Sequence, residues 1–212
     1  MPIRTTWEPP QPQGDEFSRS DPVKSFIDVV HWLVRNPIEF FARAPRRGSL
    51  LNPLLFALLC LGASNILGGL AESVGITGFG SVPLGIGMYQ SFEAFIVSTI
   101  ATLLAGAISL FIAAGILQEL VSRMVGEGNS GYGASFRVLC YATVVGLVSW
   151  IPIAGPLLAL YGFFLLIVGI REMHDTTTQK AAWVSVACLI AVYLVVTGVI
   201  LVVLWAWLMI VV

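Results

Sequence analysis

The stretch that decides the fold is AAWVSVACLIAVYLVVTGVILVVLWAWLMIVV, residues 181–212, which carries no charged side chain. A helix needs about 20 apolar residues to cross the hydrocarbon core of a bilayer. This stretch is longer than that, so it predicts a spanning helix that tilts or protrudes. The chain of 212 residues is 57% hydrophobic and 11% charged, whereas about a quarter of the residues in soluble domains are charged. The composition therefore indicates a single domain solvated by lipid.

Four more apolar runs precede this one. Together the five predict spans near 50–71, 93–118, 136–152, 155–171 and 181–212. The third and fourth runs are short and flank WIPIAGP, residues 150–156, in which two prolines and a glycine interrupt any continuous helix. We therefore expect a tight turn there, between the two arms of a helical hairpin.

The residues before the first span fall into two parts. Residues 1–20 are rich in proline, and we expect a flexible tail. Asp21-Pro22 is typical of a helix start, and apolar residues then recur at helical spacing until Asn36-Pro37. Residues 21–48 thus predict an amphipathic helix and a linker, lying either on the inner leaflet or against the bundle.

The predicted fold class is all-α: a polytopic integral membrane protein with five transmembrane helices preceded by an N-terminal amphipathic interfacial helix. The five-helix domain covers residues 49–212. Within it, the segment 72–92 is too rich in glycine for a stable span and too apolar for an ordinary loop. We expect a short re-entrant or interfacial piece there.

The basic residues indicate the orientation. Under the five-span prediction, all eleven lysines and arginines fall on one side of the membrane, which the positive-inside rule makes the cytoplasmic side. We expect a cytoplasmic N-terminus, an outside C-terminus and a location in the bacterial cytoplasmic (inner) membrane.

GEGNSG, residues 126–131, matches the G-x-G-x-x-G pattern of dinucleotide sites. That motif requires a strand before it and an acidic residue about 20 positions later. Here an apolar helix precedes it, and no carboxylate lies in residues 146–150. We interpret it as a loop joining two spans, and expect neither a nucleotide nor a nucleic acid as partner.

The sequence offers no clear catalytic or metal-binding set. Cys60, Cys140 and Cys188 lie in apolar runs without a C-x-x-C pair, which favours packing roles. No H-E-x-x-H, G-x-S-x-G or Walker pattern occurs, and no nucleophile and base can be paired from the spacing. We expect no enzyme activity, no cofactor and no resident metal.

Charged residues gather at the cytoplasmic span ends, where they either neutralise one another or form a surface for a partner or an ion. The candidate surface consists of Glu119, Arg123, Arg137, Arg171, Glu172 and His174. Of these, the two glutamates and the histidine are the ones to test for a metal. Inside the spans, the candidate polar positions are Asn65, Thr102 and Tyr141, which either hydrogen-bond between helices or line a path.

Three motifs carry a family resemblance from residue 117 onward: YGASFR, residues 132–137, with Tyr141; IPIAG, residues 151–155; and GIREMH, residues 169–174. In order and spacing they resemble the Yip family of Rab-interacting five-pass membrane proteins. The resemblance implies an N-cytoplasmic five-helix protein and, in eukaryotic members, association with Rab-type GTPases. The eukaryotic Asp-Leu-x-Gly-Pro signature is missing, and the chain is more similar to prokaryotic members.

Two functions remain open at this point. The first is an integral-membrane interaction or scaffold protein, whose partners are the lipid bilayer and other membrane proteins or further copies of itself. The alternative is a small transporter or channel for a neutral solute, an ion or a lipid. The spans have no charged residue at mid-depth and no inverted repeat, which favours the first.

Overall fold

The computed structural model of the protein describes residues 17–19, 21–73, 92–126, 129–151 and 154–211, and all regular secondary structure in them is helical. The helices are α1 (Pro22–Arg35), α2 (Pro37–Arg43), α3 (Leu51–Ser73), α4 (Phe92–Met124), α5 (Tyr132–Ala142), α6 (Ala154–Met173) and α7 (Thr178–Val211). A 3-10 segment, Thr143–Val148, extends α5.

Three of these helices are long and apolar enough to cross a membrane. They are α3 over Leu51–Ala71, α4 over Phe95–Met124 and α7 over Thr178–Val202. They correspond to the first, second and fifth predicted spans, so the chain is an integral membrane protein. With 33 and 34 residues, α4 and α7 are each about 50 Å long, which exceeds the hydrocarbon thickness of about 30 Å.

The two short predicted spans fall on α5 with its 3-10 segment and on α6. The α-helix of the first arm ends earlier than predicted, because the backbone tightens into the 3-10 segment at Thr143, whose hydroxyl donates to the Cys140 carbonyl (2.6 Å). The arms pack closely: a Cβ added at Gly162 would lie 3.3 Å from Val145 Cγ2. Residues 152 and 153 of the predicted turn lie outside the described residues.

The start and end of α1 follow the sequence. Asp21 Oδ1 accepts a hydrogen bond from the Lys24 backbone N–H (3.3 Å), which confirms the predicted N-cap. Asn36-Pro37 separates α1 from α2, as the helix-breaking geometry of proline requires. The helix lies against the bundle, because Leu33 is fully buried and its carbonyl accepts a hydrogen bond from the Tyr161 hydroxyl (2.7 Å).

Around its axis, α1 has three faces rather than two. A bundle face and an exposed apolar face lie side by side, and a polar face lies opposite the bundle. The bundle face comprises Phe26, Val29 and Leu33, and the polar face comprises Lys24, Asp28, His31 and Arg35. The exposed apolar face comprises Val23, Ile27 and Val34, with the half-buried Val30 at its border with the bundle face. Three faces of this kind suit a helix at a corner between protein, lipid and water.

Burial is concentrated at one end of the bundle, which we call the packed end. There α5 packs against α3, α4 and α6, α2 packs against α6, and the first turns of α7 pack against α4 and α6. Helix α1 contacts α3 through Phe26 and α6 through the Leu33 carbonyl. The fully buried side chains at this end include Phe40, Phe41, Phe56, Leu117, Phe136 and Tyr141.

Beyond the packed end lies an exposed apolar belt. It consists of residues 96–112 of α4, 157–164 of α6 and 189–209 of α7, in which most large apolar side chains are exposed. The α7 part rises about 30 Å along the helix axis, which matches the thickness of the hydrocarbon core.

Two predictions on connecting segments fall largely outside the described residues. Only residues 17–19 of the predicted flexible tail are described, and among them Phe17 packs against the bundle. The Phe17 side chain is 2% exposed, and its ring centroid lies 6.3 Å from that of Phe56. The predicted re-entrant segment 72–92 is described only where α3 ends at Ser73 and α4 begins.

Candidate functional site

The packed end contains a chain of polar side chains that links three helices and a loop. The Ser135 hydroxyl of α5 lies 3.2 Å from His174 Nε2, at the end of α6, and donates to Gln118 Oε1 of α4 (2.8 Å). Gln118 Nε2 then donates to Asn129 Oδ1 (3.0 Å). Ser135 and His174 are fully buried. We call these four residues the polar network.

The hydrogen bonds of the network have one consistent direction. His174 Nδ1 accepts a hydrogen bond from the Ser130 backbone N–H (3.2 Å), which assigns the ring proton to Nε2. Nε2 therefore donates to Ser135, whose own proton goes to Gln118. Burial lowers the pKa of His174 from 6.5 to about 4; the nearby Arg46 charge also lowers it, while Asp175 raises it.

The direction of the Ser135–His174 hydrogen bond is relevant to whether these two residues could act as a catalytic pair. The spacing in the sequence led us to expect no nucleophile and base in contact, and that expectation is wrong for Ser135 and His174. In a catalytic pair, however, the histidine nitrogen accepts the serine proton. Here that nitrogen carries the proton of a neutral, buried ring, so the contact is that of a structural hydrogen bond.

A charged clamp connects the α2–α3 linker to the end of α6. Arg46 Nη2 donates to Asp175 Oδ1 (2.6 Å) and to the Glu172 carbonyl oxygen (3.1 Å), and Nη1 pairs with Asp175 Oδ2. The paired hydrogen bond lowers the pKa of the Asp175 carboxyl and raises that of Arg46. Asp175 has a φ of 45°, in the left-handed region. The clamp and the network are therefore neighbours, because His174 precedes Asp175.

Arg137 anchors the same linker from the α5 side. It is fully buried, and its two terminal nitrogens donate to the Gly133 carbonyl (3.2 Å) and the Ser49 carbonyl (2.9 Å). A Cβ added at Gly48, whose φ is 128°, would lie 3.4 Å from Nη2. A glycine thus lets the linker approach the guanidinium closely.

Comparison with known proteins agrees with this geometry. A family model described as the Yip1 domain matches residues 32–200, more than half of the chain. The chain belongs to the Yip1 domain family. No curated protein and no solved structure matches it significantly.

In this Yip1 domain, the motifs that carry the resemblance come together in space. Ser135 and Arg137 belong to the first motif, and Gly169 and His174 to the third. A Cβ added at Gly169 would lie 2.8 Å from Val138 Cγ1, so the first and third motifs define the α5–α6 contact. These motif residues therefore hold the packed end together.

The predicted cytoplasmic surface of this Yip1 domain is only partly a surface. Arg137 and His174 are fully buried, so assigning them to an exposed surface was wrong: Arg137 contacts the α2–α3 linker, and His174 contacts the α4–α5 loop and α5. The other four members form two local pairs, Arg123 with Glu119 (Nε–Oε1 2.7 Å) and Arg171 with Glu172 (Nε–Oε1 2.7 Å).

The three residues first suggested for a metal do not converge. Among the described residues, no three His, Cys, Asp or Glu side chains are close enough to hold a metal ion. Glu119 and Glu172 each pair with an arginine, and both ring nitrogens of His174 take part in hydrogen bonds within the protein.

The three candidate polar positions inside the spans lie in two different parts of the bundle. Asn65 Nδ2 donates to the Thr102 hydroxyl (3.1 Å), which joins α3 to α4. Tyr141 instead is fully buried in the packed end, with its ring centroid 4.9 Å from Phe40 and 5.2 Å from Phe56. Asn65 lies nine residues, or about 13 Å, further along α3 than Phe56, so the three positions lie at two depths in the bundle.

The glycine-rich loop also has a structural role in its described part. It follows helix α4, as expected, and not a strand. Gly131 caps α5 with a φ of 91°, and its N–H donates to Asn129 Oδ1 (2.8 Å). The glycine pattern gave no signal for the Gln118–Asn129 hydrogen bond, because that bond forms only when the loop packs back against α4.

Proposed function

We propose that this Yip1 domain protein is a non-catalytic membrane adaptor, which holds other membrane proteins or further copies of itself through its spanning helices. The packed end supplies a rigid base, and α7 supplies the contact surface. The transporter alternative has less support, since Asn65 and Thr102 hydrogen-bond to each other and Tyr141 is fully buried among aromatic rings.

One observation carries this proposal: the middle of α7 is exposed on every side. Tyr193, Leu194, Val195 and Val196 are consecutive, and they are 69%, 62%, 44% and 50% exposed. Because successive residues point 100° apart, four such residues sample the whole circumference of a helix. Few side chains of the described bundle cover this part of α7, which leaves it open to a partner helix.

We further propose a five-span topology with the packed end in the cytoplasm of a bacterium and α1 at the inner membrane interface. The exposed belt supports placing the packed end just outside the hydrocarbon core. The α7 part of the belt is about as long as the core is thick, and it ends where α7 enters the packed end. The clamp supports the arrangement too, since it brings the α2–α3 linker and the α6–α7 connection to the same end of the bundle.

Photo-crosslinking tests the adaptor role. A photoreactive phenylalanine analogue replaces Tyr193 or Ile200 in α7, or Leu104 in α4, which is similarly exposed at 61%. We expect one discrete protein adduct from both α7 positions and none from position 104. Native mass spectrometry should then detect the same protein, or a second copy of this chain, at fixed stoichiometry in the purified assembly. Adducts with lipid alone from all three positions would overturn the proposal.

A further inference from the structure

A groove runs along α1 and continues onto α6. One part, of about 360 Å³, lies beside the second half of α1. A second part, of about 460 Å³, lies between the α1–α2 corner and α6, and the two parts share Val34 and Arg35. The apolar wall is formed by Ile27, Val30, Val34, Ile38, Tyr161 and Phe164. The groove is therefore long, apolar and bordered by the polar face of α1.

The groove opens onto the exposed apolar belt. Phe164 lines it and is 41% exposed, and one turn earlier in α6 Leu160 is 69% exposed. In an integral membrane protein, an exposed apolar helix surface of this kind faces hydrocarbon. The surface that contacts lipid therefore continues into the groove without a polar barrier.

In the described part of the chain, two charged side chains line the groove, and only one of them is free to pair with a ligand. Glu39 lines the second part, but it is paired with Arg43, four residues later. Arg35 lines both parts and has no ion-pair partner among the residues that the structure describes. The polar face of α1 carries Lys24, Asp28 and Arg35, a net charge of +1 with His31 neutral. The groove thus presents one available guanidinium beside an apolar channel.

We propose that this groove binds one anionic phospholipid from the surrounding bilayer. An acyl chain lies along Val30, Val34 and Phe164, and the phosphate accepts hydrogen bonds from Arg35. A guanidinium matches the two oxygens of a phosphate better than a single ammonium does. The site is independent of the proposed adaptor role, because it lies on α1 and α6 rather than on α7.

The test uses the full chain in phosphatidylcholine nanodiscs with and without phosphatidylglycerol. Native mass spectrometry then counts the lipid molecules that stay bound after the protein is released from the nanodisc. We expect one retained phosphatidylglycerol per chain. Arg35→Gln should reduce this retention at least fivefold, because the phosphate loses the charge-assisted hydrogen bonds that, among the described residues, only Arg35 supplies in the groove. Arg47→Gln is the matched control, since Arg47 is exposed and does not line the groove.

One further variant and one added competitor separate the alternatives. Val34→Asn should lower lipid retention without changing the unfolding temperature, because Val34 is 58% exposed. Inorganic phosphate should not displace the lipid; displacement would assign the site to the free anion. Equal losses for the Arg35 and Arg47 variants would mean diffuse surface attraction and would overturn the proposal. Equal retention of the two lipids would overturn it as well.

Discussion

At the scale of single residues, His174 makes the packed end sensitive to acid. In the unfolded chain its pKa is 6.5, and in the folded protein it is about 4. The unfolded state therefore binds more protons between these values, so stability falls as the pH falls from 6.5 to 4. The loss is about 3 kcal/mol, because one pKa unit corresponds to about 1.4 kcal/mol. Thermal unfolding in detergent across this range measures it.

Two variants identify the group responsible. His174→Gln should remove the pH slope, although it lowers stability at neutral pH by disturbing the polar network. Asp175→Asn should keep the slope, because the lowered pKa of Asp175 means that its contribution is lost only below its ordinary value of 3.8. An unchanged slope in the His174 variant would assign the acid sensitivity to another group.

Gly169 tests the close contact between α5 and α6. An alanine Cβ there would lie 2.8 Å from Val138 Cγ1 and 3.2 Å from Phe41 Cζ, distances at which something must move. We expect Gly169→Ala to lower the free energy of unfolding by about 1–3 kcal/mol. Gly115→Ala is the control, because an added Cβ at Gly115 in α4 would meet no atom within 4 Å. Equal effects in the two variants would exclude a steric origin.

The sequence predicted the role of a residue correctly where that role depends only on neighbouring residues in the chain. Asp21 as an N-cap and Asn36-Pro37 as a helix boundary depend on the neighbouring backbone, which the sequence contains. The burial of Arg137 and His174 depends on their contact with the α2–α3 linker and the α4–α5 loop. That contact joins residues far apart in sequence, so charge position along a span end could not predict it.

At the scale of one element, α1 has a buried apolar face and an exposed apolar face, whose contributions to stability can be compared. Leu33 is fully buried, whereas Ile27, on the next face, is 59% exposed. We expect Leu33→Ala to lower the free energy of unfolding by about 2–5 kcal/mol, and Ile27→Ala to change it by less than about 0.5 kcal/mol. Unfolding in detergent measures both. Similar losses for the two variants would mean that α1 packs on both faces.

Periodicity predicted the helix but not its three faces. A helical wheel identifies Val23, Ile27 and Leu33 as apolar, but it does not say which neighbour covers each of them. Two apolar faces with different surroundings look like one broad face in the sequence. Only the position of α6, whose Tyr161 hydroxyl reaches the Leu33 carbonyl, distinguishes the buried face from the exposed one.

At the scale of the whole molecule, composition and length predicted a membrane protein and its three long spans. They could not predict that burial is concentrated at one end. Lipid and protein both solvate apolar runs, so the apolar character of α7 does not show that residues 181–188 lie largely in the packed end and residues 189–209 in the belt. Which solvent each segment has depends on the assembly of all the helices.

The assembly also predicts a topology without reference to the distribution of basic residues. The Arg46–Asp175 clamp brings the α2–α3 linker and the α6–α7 connection together, whereas Glu93 begins α4 about 45 Å from Arg123 along the helix. Positions 47 and 179 should therefore lie on one side of the membrane and position 93 on the other.

Single cysteines at these three exposed positions test this arrangement with a membrane-impermeant thiol reagent. The natural cysteines are buried, so the background should be low. We expect Arg47→Cys and Gln179→Cys to react in inverted vesicles, and Glu93→Cys to react in spheroplasts. If positions 47 and 179 react on opposite sides, the clamp is wrong and with it the packed end. If both react only in spheroplasts, the fold stands and the orientation drawn from the basic residues is reversed.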